Sequence, residues 1–159
     1  MKNTEPFEKE IAYFFGVDHE GPVVKAYLKA IKKLEEIGPN GSKKRLHHEM
    51  MPYLENAYKE IAHQRNLNFD TTKAADIEFQ IILGNALGST FEIVQDLMIQ
   101  LYTVIFQTHS PAIKKAAMLR TFLYQYKAEV MKEGEIPLDD QELMIEVAKA
   151  SEKYLSLLS

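Results

Sequence analysis

The sequence predicts an all-α protein: a single compact bundle of six to eight helices around a central helix at about 90–107. Three observations lead there. Apolar residues recur at three- and four-residue spacing along most of the chain. Gly, Pro and Ser/Thr/Asp stand where helices stop and start. No segment sustains the period-2 alternation of β-branched residues that a strand requires. The 159 residues fit one helical domain, 1–159, and 46% apolar content is enough to fill a core at that length.

The elements follow in order. Thr4 caps a short helix at about 5–15, with Phe7, Ile11, Phe14 and Phe15 on one face, and Gly16 stops it. Pro22 suits the first position of a second helix, where its missing N–H would be unpaired anyway. Val24, Tyr27, Leu28, Ile31 and Leu34 form its stripe, and Gly38 ends it. Ser42 starts a third helix, which Pro52 is expected to break or kink. Leu54, Ala57, Tyr58 and Ile61 continue as a fourth to about Asn66. Asp70 or Thr71 caps a fifth, about 72–87, closed by Gly88. Ser89-Thr90-Phe91-Glu92 reads as a capping box opening a sixth, about 90–107. Ser110-Pro111 opens a seventh, about 111–132, and Asp139 an eighth, about 140–158.

The sixth helix is apolar over most of its circumference. Its polar residues, Glu92, Asp96, Gln100, Thr103 and Gln107, lie along one line. That pattern suits a rod buried in the middle of a bundle, with the fifth, seventh and eighth helices around it and the polar edge in water.

Composition excludes several chemistries. With no cysteine there is no disulfide framework, thiolate metal site or Cys nucleophile. The N-terminus has acids where a secretory leader needs a basic flank, and no apolar run is long enough to span a membrane. The expectation is therefore a cytoplasmic protein without membrane contact. A formal net charge of −4 opposes general binding to nucleic acid, and the basic clusters Lys43, Lys44, Arg45 and Lys114, Lys115, Arg120, Lys127 read as solvated helix faces.

Residues 38–45, GPNGSKKR, resemble the phosphate loop GxxxxGK[ST] of ATPases. Ser42 stands where that loop needs Gly, Lys44 where it needs Ser or Thr, and an amphipathic helix precedes it where a strand is required. A Gly stop, a Pro-Asn-Gly turn and a Ser cap account for every residue as a corner between helices.

Three further patterns bear on metal binding. Glu60-x-x-His63 resembles the Glu-x-x-His element of ferritin-like di-metal proteins, which use two such elements; this chain has one. HHEMMPYLE is similar to the paired-His stretch of hemerythrin-like domains. Their His-x-x-x-Glu pattern is not met, because Met51 and Pro52 follow four residues after His47 and His48. Asp76 or Glu78 with Glu92 and Asp96 resembles the acidic elements of all-α nucleotide pyrophosphohydrolases, which hold magnesium through oxygen ligands, although the E-x-x-E and E-x-x-D spacings are absent. The resemblances imply a metal-dependent all-α enzyme, with Glu60, His63, Asp76, Glu78, Glu92 and Asp96 as candidate ligands. That is the alternative reading.

The preferred reading is a small non-enzymatic protein-binding, regulatory or adaptor domain without a cofactor. Surplus apolar residues on more than one helix side, at Met118, Tyr124 and Met131, need covering by this chain or another. Methionine adapts well at binding grooves. The expected partner is a protein or a second copy, through an apolar groove or a dimer face.

Overall fold

The computed structural model describes residues 17, 18, 20–38, 40–107, 111, 114, 117, 118, 120 and 121. Every regular element among them is helical: α1 (Pro22–Ile37), α2 (Lys43–Gln64), α3 (Thr71–Ala86) and α4 (Phe91–Phe106). The last six of those residues, from Pro111 to Thr121, are helical as well. The all-α class holds, but four helices are defined rather than six to eight. The predicted helices at 5–15 and 140–158 and most of 111–132 lie outside the described residues.

One predicted boundary is removed outright. Pro52 neither breaks the chain nor separates two helices: α2 runs through it for 22 residues. A proline here cannot donate to the carbonyl of His48 four residues back. Both Pro52 and His48 are exposed, so water can satisfy the freed oxygen. The buried stripe of Leu46, Met50, Leu54, Ala57, Tyr58 and Ile61 passes behind the proline without interruption. Core burial on one face outweighs the local defect on the other.

The ends are set by short-range chemistry. Gly38 closes α1 at φ 73°, a conformation that L side chains rarely adopt, and its N–H returns to the Leu34 carbonyl. Ser42 Oγ accepts from the Arg45 N–H at 3.1 Å and opens α2. A side chain at Gly41 would come within 2.2 Å of Ile37 Cγ2, so the corner needs a second glycine. Residues 38 and 40–42 thus make a tight turn between paired helices, and Lys43, Lys44 and Arg45 open α2. Asp70 caps α3 through the Lys73 N–H at 3.0 Å. At α4 the cap is Thr90, which accepts from Ile93, and not Ser89. Glu92 then falls at the second helical position, too early to close a capping box. Ser89 instead gives its N–H to the Gly84 carbonyl at 2.8 Å.

Consecutive helices pair: α1 with α2, α2 with α3, and α3 with α4. The α3–α4 hairpin is antiparallel, since Gln107 at the end of α4 donates to the Asn68 carbonyl just before α3. The contacts between α2 and α3 span both helices: Tyr58 meets Phe69, just before α3, in an edge-on ring contact, and Lys43 and Leu46 share a groove lining with Leu83, Ala86 and Leu87. His47 and Tyr58 lie three turns apart on α2, roughly 16 Å, yet they contact Asp76 and Glu78, two residues apart on α3. Among the described helices the middle places belong to α2 and α3, and α4 sits at the end of the row. Its buried face is Val94, Met98, Leu101, Tyr102 and Ile105, while Ile93 and Phe106 are exposed. The expectation of a rod shielded on all apolar sides is therefore corrected. Its polar edge does meet solvent, at Glu92, Asp96, Gln100 and Gln107.

Replacing Pro52 tests the account of α2. Pro52→Ala restores a hydrogen bond on the exposed face and is expected to stabilise the protein by about 2 kcal/mol, after allowance for the freer unfolded chain. Urea denaturation of the two proteins measures it; an unchanged or lower midpoint contradicts the account.

Candidate functional site

Two features stand out from the packed helices: a buried polar cluster at the α2–α3 crossing and an apolar groove at the α1–α2 corner.

The cluster centres on Glu78. Its neighbours on the same face of α3 are Ala74, Ala75, Ile81 and Ile82, all buried, so the helix carries the carboxylate into the core. Glu78 has no exposed surface. Its Oε1 accepts from the Tyr58 hydroxyl at 2.5 Å and from Arg120 Nη2 at 2.8 Å. Arg120 is likewise fully buried, between Ala117 and Thr121, whose hydroxyl turns back to the Ala117 carbonyl. Taking both charges out of water is costly, and mutual attraction repays it only when the geometry is good. Burial pushes the Tyr58 hydroxyl well above tyrosine's usual range; the Glu78 charge adds to the shift and Arg120 opposes it. Tyr58 therefore stays protonated and donates.

Arg120 corrects the sequence reading, which placed it on a solvated basic face. A usable signal was present. Positions 116, 117, 123 and 124, which flank it at helical spacing, are Ala, Ala, Leu and Tyr. The same holds for Glu78. A charge surrounded by apolar residues at ±3 and ±4 lies on the buried stripe.

The candidate metal ligands do not come together. Asp76 accepts from His47 Nε2 at 2.8 Å and from Gln80 Nε2 at 3.1 Å, beside the edge-on contact of His47 with Phe79. Asp96 is exposed and holds Gln100 at 2.8 Å, and Glu92 is exposed. The antiparallel α3–α4 hairpin explains the separation. By that register a residue level with Glu78 lies near position 97, which leaves Glu92 roughly 8 Å away along the axis. Asp96 is closer in level but exposed, whereas Glu78 is fully buried. Glu60 and His63 share the last turns of α2, Glu60 half-buried and His63 exposed. Among the described residues no group of three His, Asp or Glu side chains could hold a metal ion.

The candidate partner residues divide. Met118 is buried at 5% exposure, packed within this chain rather than offered to another. Tyr124 and Met131 lie outside the described residues. Among the described residues an open apolar surface lies elsewhere, in a groove of about 470 Å³ lined by α1, the corner, α2 and the end of α3. Leu34, Leu46, Leu83, Ala86 and Leu87 supply its apolar walls; Glu35 and Lys43 are its charged residues. Leu87 is 67% exposed, the highest value among the exposed large apolar side chains of the described residues. It follows α3 directly, in the turn that Gly88 closes at φ 75°. No helix among the described residues is long and apolar enough to cross a membrane.

No protein family, curated protein or solved structure matches the chain.

Two predictions follow from the cluster. Arg120→Met alone leaves Glu78 buried and uncompensated, and is expected to destabilise the protein by about 3–5 kcal/mol. Glu78→Leu combined with Arg120→Met should recover most of that loss, because an apolar pair replaces the charged one. A double-mutant cycle in urea reads the coupling; additive losses would mean that the ion pair does not organise the crossing. The second concerns alkaline pH. Unfolded Tyr58 ionises near pH 10, while the folded residue holds its proton to higher pH. Its contribution is therefore intact below about pH 10 and is lost as pH rises from there through the folded value, at about 1.4 kcal/mol per pH unit. Tyr58→Phe should flatten that part of the stability profile, and an identical alkaline slope in both proteins would contradict it.

Proposed function

We propose that this chain is a small non-enzymatic protein-binding domain of regulatory or adaptor type, which engages its partner through the groove at the α1–α2 corner. One observation carries the reading. An open, mostly apolar groove of about 470 Å³ has a 67% exposed leucine at its lip. The volume lies in the range of ligand-sized clefts. An apolar concavity with charged groups at its margin resembles the core and rim of a protein interface. The groove replaces Met118 as the surface expected to serve a partner. Compartment and partner identity belong to the proposal too: a cytoplasmic protein that binds another protein or a second copy of itself.

Leu87→Glu tests it with little risk to the fold, since the side chain is mostly in water already. Burying a leucine at an interface contributes about 1.5–3 kcal/mol, so affinity should fall roughly ten- to hundredfold. Sedimentation measures self-association, and capture experiments with wild-type and Leu87→Glu proteins measure heterologous binding. The expected result is an association that the variant loses. A strictly monomeric protein that retains no partner, or an association indifferent to Leu87, overturns the proposal.

A further inference from the structure

The chemistry at the groove's margin narrows the partner, on the reading that the groove is an interface. Lys43, Lys44 and Arg45 are consecutive, exposed, and form the first turn of α2. Lys43 lines the groove itself. No acid stands in that turn, and among the described residues none of the three has an ion-pair partner. A helix N-terminus already carries partial positive charge, so three cations there are of the wrong sign for α2 alone. Among the described residues no acid is paired with them. Glu36 is engaged with Lys33 at 3.8 Å, and Glu35 is the one carboxylate in the groove lining. A chain of net charge −4 thus presents a positive margin beside its apolar groove.

We propose that the groove takes an acidic amphipathic helix, whose apolar side chains seat among Leu34, Leu46, Leu83 and Leu87 and whose flanking carboxylates meet Lys43, Lys44 and Arg45. Helix-in-groove recognition needs the features present here, apolar walls and a charged margin that fixes orientation. The described residues offer no sheet edge to which an extended peptide could add. A second copy bound groove to groove would set the cation cluster against a lining that carries one carboxylate, Glu35. An anionic lipid surface would meet Glu35 and an acidic protein body as well as the three cations.

The experiment uses the full chain and two designed helical peptides about five turns long. Their apolar faces are identical, with leucines at three- and four-residue spacing; one is flanked by glutamates, the other by lysines. The readout is fluorescence anisotropy at low and high salt. The acidic peptide should bind about tenfold or more tightly than the basic one. The preference should shrink as added salt shortens the screening length from about 10 Å to about 3 Å. Lys43→Glu with Lys44→Glu and Arg45→Glu should reverse the preference while circular dichroism stays unchanged; Lys43→Glu alone serves if the triple variant loses helicity. Leu87→Glu should abolish binding of both peptides. Equal binding of the two, lost in Leu87→Glu, overturns the acidic class and leaves the groove as an interface. Binding of neither, beside capture of a partner that depends on Leu87, does the same. Binding to phosphatidylserine vesicles in place of the acidic peptide overturns the proposal in favour of a membrane surface.

Discussion

The interaction on which this architecture turns is a carboxylate meeting a guanidinium where there is no water. Glu78 and Arg120 lie 42 positions apart, and both are fully buried. Each alone in the core would cost several kcal/mol. Together, with the Tyr58 hydroxyl on the same oxygen, they compensate one another. The consequence is mostly exclusion. An arrangement that slides α3 along α2, or lifts the helical residues near 117–121 away from α3, strands a buried charge. Apolar contacts in the core tolerate small slips because attraction between methyl groups has little direction. The ion pair is directional, so it fixes how the helical residues near 117–121 sit against α3, and the Tyr58 hydroxyl ties α2 to the same oxygen.

What could be read from the sequence divides along the range of the physics involved. Caps and stops depend on residues three or four apart, and there the reading was close: Ser42, Asp70, Gly38 and Gly88 stand where local rules put them. The errors came where a local rule met a tertiary one. Pro52 is a helix breaker by propensity, but here the proline faces water and the stripe behind it stays buried. Ser89 and Thr90 are both good caps, and the backbone bond from Ser89 to Gly84 leaves Thr90 in the role. The apolar girth of Phe91–Phe106 suggested a central helix, yet girth alone cannot say whether every side finds a neighbour.

The site was legible in pieces only. That Glu78 and Arg120 lie on buried faces follows from the apolar residues around each. That they face one another does not, because spacing along one helix carries no information about the partner helix. The supposed cluster of acids failed for a reason that elementary geometry supplies. In an antiparallel hairpin, residues early in one helix meet residues late in the next, so Asp76 and Glu78 could not share a site with Glu92. The groove was invisible for a different reason. It is made by three chain segments that no pattern links, α1 at Leu34, α2 at Leu46 and α3 at Leu83.

The groove sits where the end of α3 meets the α1–α2 corner. Gly38 and Gly41 turn that corner without side chains to fill the space, and a methyl group at Gly41 would collide with Ile37. Leu83, Ala86 and Leu87 lie opposite that corner, Leu83 half-buried and the other two exposed. The same glycine-rich run that resembles a phosphate loop leaves apolar walls beside three cations that have no ion-pair partner among the described residues. The resemblance to nucleotide binding is thus a by-product of corner chemistry. Glycines for a tight turn and a serine for a helix start are needed whether or not a phosphate is ever bound. The lysines that follow are the part the turn does not require.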